Sequence, residues 1–322
     1  MLSLYLKLIN PDLSEQFMDK AHKKSLIVVV GPTAVGKTEV CVTIGSYFKT
    51  EIISADSRQF YKEMDLGTAK PSLEELSKVR HHLVNHLSIH EPYSVKEFER
   101  DALKLIEEIH GRNTIALLAG GSGLYVQALC KGIDDMPTVP TEIRASVMEE
   151  LEEFGLPHLL QKLADLDPYY FSIVDKANPQ RVVRAIEVSL YTKKPYSSFR
   201  KEKAVKRPFN IIMVGLNRER DALYKRIDTR MDKMIDEGLF EEAKALYPYK
   251  DLNALQTVGY SEIFGYLEGN YDYSEAVRLL KRNSRRYAKR QMTWFNRENS
   301  IKWFHPEEVD EIIGYLEEKL NS

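Results

Sequence analysis

The chain has 322 residues, of which 43% are hydrophobic and 29% are charged, and its formal net charge is −2. This length and composition allow a sizeable core and predict a soluble globular protein of about two domains. They exclude a nucleic-acid-binding protein that depends on overall positive charge, so any surface for nucleic acid must be a local patch.

The first 25 residues are interpreted as an extension that packs loosely or not at all. Its leucine-rich start is interrupted by Lys7 and ended by Pro11, and no small-residue cleavage site follows. No segment approaches the roughly 20 apolar residues that span a bilayer, so no membrane association is expected. Cys41 and Cys130 lie in apolar stretches without metal-ligand or redox spacing, which predicts buried reduced thiols in a cytoplasmic protein.

A phosphate-binding loop follows, because residues 26–30 form a hydrophobic strand candidate, residues 31–38 read GPTAVGKT, and residues 39–48 are helical. Glycines let backbone N–H groups point at phosphate oxygens, Lys37 adds positive charge, and the Thr38 hydroxyl is placed to hold Mg²⁺. An ordinary glycine-rich turn is the alternative, but the flanking strand and helix favour phosphate. The predicted diphosphate- or nucleotide-binding residues are Gly31, Pro32, Thr33, Ala34, Val35, Gly36, Lys37 and Thr38.

Asp56 stands at the carboxyl end of the next predicted strand, which begins at residue 51. Ligands bind at this edge of parallel sheets, so Asp56 is placed to act beside the phosphate loop, although strand-end aspartates also cap loops or form ion pairs. The strand at 114–119 ends in Gly120 and Gly121, where a nucleotide hydrolase usually carries a Mg²⁺-binding aspartate. This difference argues against a generic ATPase or GTPase.

Strands and helices alternate up to residue 136, and the pattern becomes purely helical from 137 to 207. The predicted helices lie at 95–110, 142–153, 157–165, 179–191, 221–246 and 274–296. A strand at 211–216 returns the chain to the sheet. The sequence therefore predicts an α/β fold with a P-loop NTPase-like parallel-sheet core, residues 26–136 and 208–322, and an inserted all-helical domain at 137–207.

Positive charge is concentrated at residues 193–207, with seven basic residues against one acid, and at 278–290, which contain no acid. On the second segment a basic face is predicted from helical spacing, close to Tyr287, Trp294 and Phe295; its members are Arg278, Arg282, Arg285 and Lys289. Phosphates bind basic side chains and unstacked bases bind aromatic rings, so this combination favours RNA, although a solvated surface helix gives the same pattern.

Three histidines lie close together in the sequence, namely His81, His82 and His86. This cluster lacks an acidic ligand at helical spacing. It is interpreted as structural or pocket-lining, not as a metal site.

Eight motifs occur in a fixed order between about residues 26 and 296. They are GPTAVGKT at 31–38, ISADSRQ at 53–59, GTAKP at 67–71, HHL at 81–83, GGSGLY at 120–125, PQR at 179–181, VGY at 258–260 and YAKRQMTW at 287–294. Together they resemble the bacterial tRNA dimethylallyltransferase family. The chain departs from the family at Ser284-Arg285-Arg286, where Thr-Arg-Gln is common, and in its N-terminal extension.

The resemblance implies transfer of a dimethylallyl group from dimethylallyl diphosphate to N6 of the adenosine 3′-adjacent to the anticodon in tRNA. It implies Asp56 as the general base, with Lys37, Thr38, Arg220 and Mg²⁺ acting on the diphosphate. It also implies a cytoplasmic monomer whose partner is the anticodon stem-loop. The implied tRNA-binding residues are Asp56, Ser57, Arg58, Gln59, Ser122, Arg144, Gln180, Arg181, Val182, Val183, Arg184, Gln256, Thr257, Val258, Gly259, Tyr260, Ser261, Lys289, Arg290, Gln291, Met292, Thr293, Trp294, Phe295 and Asn296.

Two alternatives remain at this point. An enzyme that prenylates free adenine nucleotides would share the phosphate loop, but it would not need the helical insert or the basic aromatic helix. A P-loop nucleotide kinase or a non-catalytic nucleotide switch is more distant, because the acid expected after Ala119 is missing.

Overall fold

The computed structural model describes residues 23–200 and 205–322. The strands of this part of the chain are β1 (Ser25–Val30), β2 (Ile52–Ser54), β3 (His81–His82), β4 (Ile115–Gly120), β5 (Asn210–Leu216) and β6 (Lys302–Phe304). They form one sheet in the order β3-β2-β4-β1-β5-β6, and every pairing is parallel. This confirms the predicted α/β core. Residues 1–22 of the predicted extension lie outside the described residues.

Helices cover the sheet on both faces. In chain order they are α1 (Lys37–Tyr47), α2 (Leu73–Lys78), α3 (Val95–Ile109), α4 (Gly123–Lys131), α5 (Thr141–Leu166), α6 (Pro168–Ile173), α7 (Pro179–Thr192), α8 (Arg220–Asp236), α9 (Leu239–Leu246), α10 (Tyr260–Leu267), α11 (Tyr273–Phe295) and α12 (Val309–Asn321). Along β1, Leu26 and Val28 belong to one hydrophobic cluster and Ile27 and Val29 to the other. Such a continuous apolar strand is typical of a parallel sheet buried on both faces.

The chain divides into two compact units, one formed by residues 23–130 and 207–322 and the other by residues 131–206. The second unit therefore starts at Lys131 and not at the predicted Pro137. Arg207, predicted as the last residue of the insert, belongs to the first unit. Its guanidinium donates to the carbonyls of Leu129 and Ala128, both at 2.8 Å, and pairs with Glu99.

The second unit is helical within its described residues. Its core includes Leu159 and Leu163 of α5 and Val182 and Ile186 of α7. Helix α5 leaves helical geometry at Gly155 (φ 77°), between the two helices predicted at 142–153 and 157–165. The predicted continuous helix over 221–246 is wrong. The helix is interrupted at Gly238, because its φ of 105° is incompatible with helical geometry, and α9 starts at the next residue.

Two edge strands, β3 and β6, were not predicted, because two- and three-residue strands carry little periodicity. Both cysteines are buried and neither forms a disulfide. None of the described helices is long and apolar enough to cross a membrane.

Candidate active site

The phosphate loop connects β1 to α1 at the carboxyl edge of the sheet. Gly36 precedes α1 with φ 111°, a left-handed conformation that favours glycine. The Lys37 ammonium donates to the carbonyls of Gly31 and Pro32, both at 2.9 Å. Burial lowers the pKa of Lys37 to about 8, and the charge of Asp56 partly offsets that effect. A buried cation at a helix N-terminus is a site for an anion.

Three arginines surround this loop from outside. Arg218 donates to the Val35 carbonyl and Arg226 to the Ala34 carbonyl, both at 3.0 Å, and Arg230 donates to the Thr33 hydroxyl. Burial lowers the pKa of Arg230, and the Asp56 carboxylate counters this shift. The site therefore contains more positive charge than the loop sequence predicts.

Arg220, the arginine assigned to the diphosphate from sequence, is the first residue of α8 and lies more than one helical turn before Arg226 and Arg230. Its guanidinium sits 5.2 Å from the centre of the Tyr224 ring. Sequence reasoning missed Arg226 and Arg230. The two arginines are four residues apart on α8, so they lie on one helical face. That spacing was the signal in the sequence that could have identified them.

Asp56 follows β2 and is half-buried. Its Oδ1 accepts from the Arg58 amide at 3.0 Å, and its own amide donates to the Ser54 hydroxyl at 3.4 Å. Because β2 and β4 are neighbours, the loop after Asp56 meets the glycine loop after β4, and the Ser57 amide donates to the Ser122 hydroxyl at 3.0 Å. The structure thus brings the predicted base, phosphate loop and glycine loop to one edge.

Gln291 of α11 joins two of these loops. Its Oε1 accepts from the Thr33 amide at 2.8 Å, and its Nε2 donates to the Gly121 carbonyl at 2.9 Å. Tyr287 lies on the same helix, and burial raises its pKa to about 12, with the Asp56 charge contributing. Helix α11 therefore contributes directly to the candidate site.

Several residues assigned to RNA are used inside the protein. Phe295 is buried in the first unit, and Val182 and Val183 are buried in the second, so their side chains are unable to contact RNA. The Arg58 guanidinium donates to the carbonyls of Asn253 and Ala254 at 2.8 and 3.1 Å. These positions correct the sequence assignment, which took whole motif segments and did not separate their inner and outer faces.

The predicted basic face of α11 is partly neutralised by ion pairs. Arg278 pairs with Glu275 at 2.6 Å, and Lys281 pairs with Asp232 at 2.5 Å. Nη1 of Arg285 donates to both carboxylate oxygens of Asp228 of α8, at 2.5 and 2.7 Å. Two of the four residues of the predicted face, Arg278 and Arg285, are therefore engaged in ion pairs within the protein.

Lys289 of the predicted face is exposed, and so are Arg286 and Arg290 of the same helix. Within residues 23–200 and 205–322, none of these three side chains forms an ion pair. Arg290 lies 5.7 Å from the centre of the Tyr287 ring. Exposed guanidinium groups next to an aromatic ring are typical of RNA contacts.

In the second unit, a buried carboxylate holds two arginines. Glu187 is 1% exposed and accepts from Arg144 at 3.2 Å and from Arg184 at 2.6 Å. The two arginine side chains remain 55% and 37% exposed, so each keeps donors for a further anion. Gln180 and Arg181, at the start of α7, are exposed.

The histidines have separate environments. His82 contacts the carboxylate of Glu51 at 2.6 Å, an acid that the sequence reading did not connect with it. His86 is packed edge-on against Phe60 and Tyr93, and burial lowers its pKa. Its ring nitrogens have no hydrogen-bond partner in the described part of the chain. Among the described residues, no group of three or more histidine, cysteine, aspartate or glutamate side chains has metal-binding geometry.

A cavity of about 330 Å³ lies between the start of α8 and the last third of α11. Basic groups and apolar groups share its lining, which includes Arg218, Arg220, Leu223, Tyr224, Lys289 and Met292. Since Arg218 also contacts the phosphate loop, the cavity adjoins the anion site. Its mixed lining suits a small molecule with an anionic head and an apolar tail.

The chain matches the family model described as IPP transferase over residues 59–298. It is 48% identical over 294 residues to tRNA dimethylallyltransferase 1 of Bacteroides fragilis, covering 91% of this chain and 98% of that protein. It is also 48% identical over 297 residues to the tRNA dimethylallyltransferase of Cytophaga hutchinsonii, covering 92% and 98%.

Solved structures agree with these similarities. The full-length tRNA isopentenylpyrophosphate transferase of Bacillus halodurans superimposes with a TM-score of 0.70 at 39% identity, over 93% of this chain and 97% of that one. A eukaryotic dimethylallyltransferase acting on tRNA superimposes with a TM-score of 0.73 at 26% identity, over 88% and 74%.

Proposed function

The chain belongs to the IPP transferase family, and from this premise we propose how its residues carry out the reaction. It is a tRNA dimethylallyltransferase. It transfers a dimethylallyl group from dimethylallyl diphosphate to N6 of the adenosine 3′-adjacent to the anticodon and releases diphosphate. One observation carries the residue assignment. Lys37 and Arg230 both donate hydrogen bonds to the phosphate loop and interact electrostatically with Asp56, which supports an anion site beside that carboxylate.

The cationic side of the site would hold the leaving group. The allylic C–O bond breaks more easily when charge on the departing diphosphate is neutralised. Lys37 supplies a buried ammonium and Arg230 a buried guanidinium, while the amides at the start of α1 supply further donors. The cavity next to Arg218 would accommodate the dimethylallyl end between Leu223 and Met292. Arg220, which also lines this cavity, would contact the donor there.

The carboxylate side would accept the proton. The amine of adenine is a weak nucleophile because its lone pair is delocalised into the ring. As the N6–carbon bond forms and the carbon–oxygen bond breaks, one N6 proton passes to Asp56 and the diphosphate departs. The Arg58 amide, which donates to Oδ1 of Asp56, fixes that carboxylate at the strand end. The target base must leave the anticodon-loop stack to reach it.

A divalent cation fits the phosphate loop. The Thr38 hydroxyl lies in the first turn of α1, and its oxygen is a hard ligand of the kind that divalent cations bind. We assign Mg²⁺ to this hydroxyl, which would hold the ion at the start of α1 next to the diphosphate. When bound, the ion neutralises charge on the leaving diphosphate.

RNA, the acceptor of the dimethylallyl group, would bind on one surface of each unit. We call the surface of the first unit the acceptor side, and its proposed groups are Ser122, Arg286, Lys289, Arg290 and Trp294. Arg144, Arg181 and Arg184 are proposed for the second. We propose a monomer as the active unit, working in the cytoplasm where its tRNA substrate is made.

Incubation with labelled dimethylallyl diphosphate and Mg²⁺ should label tRNA and leave AMP and ATP unlabelled, because the proposed contacts of the acceptor are spread over both units. ATP hydrolysis stimulated by tRNA should not be detectable, since Gly120 and Gly121 stand where hydrolases carry an acid. Nuclease digestion followed by mass spectrometry would locate the label. If AMP is labelled as fast as tRNA, the result favours the alternative, an enzyme that prenylates free adenine nucleotides.

A second prediction concerns α11. Replacing Arg286 and Arg290 by alanine should weaken tRNA binding and reduce the salt dependence by about one unit of log–log slope per lost phosphate contact. The control is Arg285→Ala, which removes one positive charge from the same helix but breaks the pair with Asp228. We expect that control to lower the melting temperature slightly and keep the salt slope. Equal slopes for wild type and the double variant would place the RNA surface elsewhere.

A further inference from the structure

The carboxylate of Glu242, on α9, accepts hydrogen bonds from two different segments of the first unit. Its Oε2 accepts from the amides of Asp65 and Leu66 at 3.0 and 2.8 Å. Its Oε1 accepts from the Gly67 amide at 2.9 Å and from the Tyr260 hydroxyl at 2.6 Å. Four donors therefore converge on one side chain, and both of its oxygens are occupied.

The first of these segments leads to the proposed base. The backbone carbonyls of Thr68 and Ala69 accept from the side-chain Nε2 of Gln59 at 3.3 and 3.2 Å. The Ser54 hydroxyl donates to the side-chain Oε1 of Gln59 at 3.2 Å and accepts from the backbone amide of Asp56 at 3.4 Å. The turn held by Glu242 is thus connected through Gln59 to the strand end that carries Asp56.

The second segment is residues 256–261, assigned to tRNA from its motif. Tyr260 is fully buried, and its ring packs so closely on Gly67 that a Cβ there would lie 2.5 Å from it, which only glycine avoids. Burial and the neighbouring Glu242 charge raise the pKa of Tyr260, so its hydroxyl stays a donor. The Gly259 amide is also fixed, because it donates to Glu262 at 2.8 Å.

We propose that Glu242 is a positioning residue for tRNA, which holds the segment at 65–69 and the segment at 256–261 in one arrangement on the acceptor side. This inference rests on the proposed function. A carboxylate suits the role because it offers only acceptors to four donors, whereas an amide would turn an N–H₂ group toward one pair of them. The donor site does not depend on Glu242, since Lys37 and Arg230 belong to other contacts.

The test is Glu242→Gln, assayed by transfer kinetics. We expect the KM for tRNA to rise about tenfold, the loss typical of a hydrogen bond to a charged group, with the Kd for dimethylallyl diphosphate unchanged. Glu241→Gln is the matched control, because it removes the same charge from an exposed neighbouring residue of α9. Tyr260→Phe removes only the hydroxyl and should raise the KM for tRNA by a smaller factor.

The double variant of Glu242→Gln and Tyr260→Phe should lose less than the sum of the two single losses, because both changes act on the same contact. An unchanged KM for tRNA, additive losses, or an equal loss of affinity for donor and tRNA would each overturn the proposal. The last result would mean that Glu242 only stabilises the fold. If the wild-type enzyme itself fails to modify tRNA, the proposed function fails, and that outcome is seen before any variant is compared.

Discussion

Replacing Asp56 with asparagine should lower the single-turnover rate of transfer by about 10²–10⁴-fold, the usual contribution of a general base. Asparagine keeps an oxygen that accepts from the Arg58 amide, so the strand end should retain its geometry. Rapid-quench assays with enzyme in excess over labelled tRNA measure the chemical step directly. A rate close to that of the wild type would remove Asp56 from proton transfer.

The Asp56 variant needs a control for its effect on the neighbouring cation. The Asp56 charge raises the pKa of Lys37 against the lowering caused by burial, so removing that charge favours neutral Lys37. Assays at about pH 6.5 and about pH 7.5 separate the two effects. A defect that disappears at the lower pH would come from lost protonation of Lys37, whereas a defect at both values supports the loss of a base.

Replacing Lys37 with methionine should reduce transfer by about 10²-fold or more, because the leaving diphosphate loses a buried positive charge. The methionine stem fills the space beneath the loop without donating to the Gly31 and Pro32 carbonyls. Calorimetry with dimethylallyl diphosphate should show weakened donor binding, while filter binding should show tRNA affinity close to that of the wild type.

Lys49→Met is the matched control for this change, since Lys49 is exposed and follows the other end of α1. It should behave as the wild type in both assays. If Lys37→Met binds the diphosphate normally and retains full activity, the phosphate loop does not hold the donor and the assignment of the cationic side must be given up.

The sequence predicted the parallel core and the phosphate loop because both depend on local patterns. A continuous apolar run such as β1 signals a buried parallel strand, and the GPTAVGKT spacing itself defines the loop. Asp56 was placed correctly at a strand end because β2 is hydrophobic and short. That it acts as the base remains a prediction.

What the sequence did not reveal depends on contacts between distant residues. Arg226 and Arg230 reach the phosphate loop from nearly 200 positions away, at sequence separations of 192 and 197. The pairing of Arg285 with Asp228 likewise joins two helices, so a helical wheel of α11 shows a charge but not its partner. Helical spacing gives the direction of a side chain, and only the packed fold decides whether it meets solvent.

Helix α11 connects the donor side to the acceptor side through Gln291, which holds both Thr33 of the phosphate loop and Gly121 of the glycine loop. Thermodynamic linkage applies to such an arrangement. If occupancy of the phosphate loop changes the affinity for tRNA by some factor, tRNA must change the affinity for dimethylallyl diphosphate by the same factor. The order in which the two substrates arrive would then alter the rates of complex formation but leave the free energy of the ternary complex unchanged.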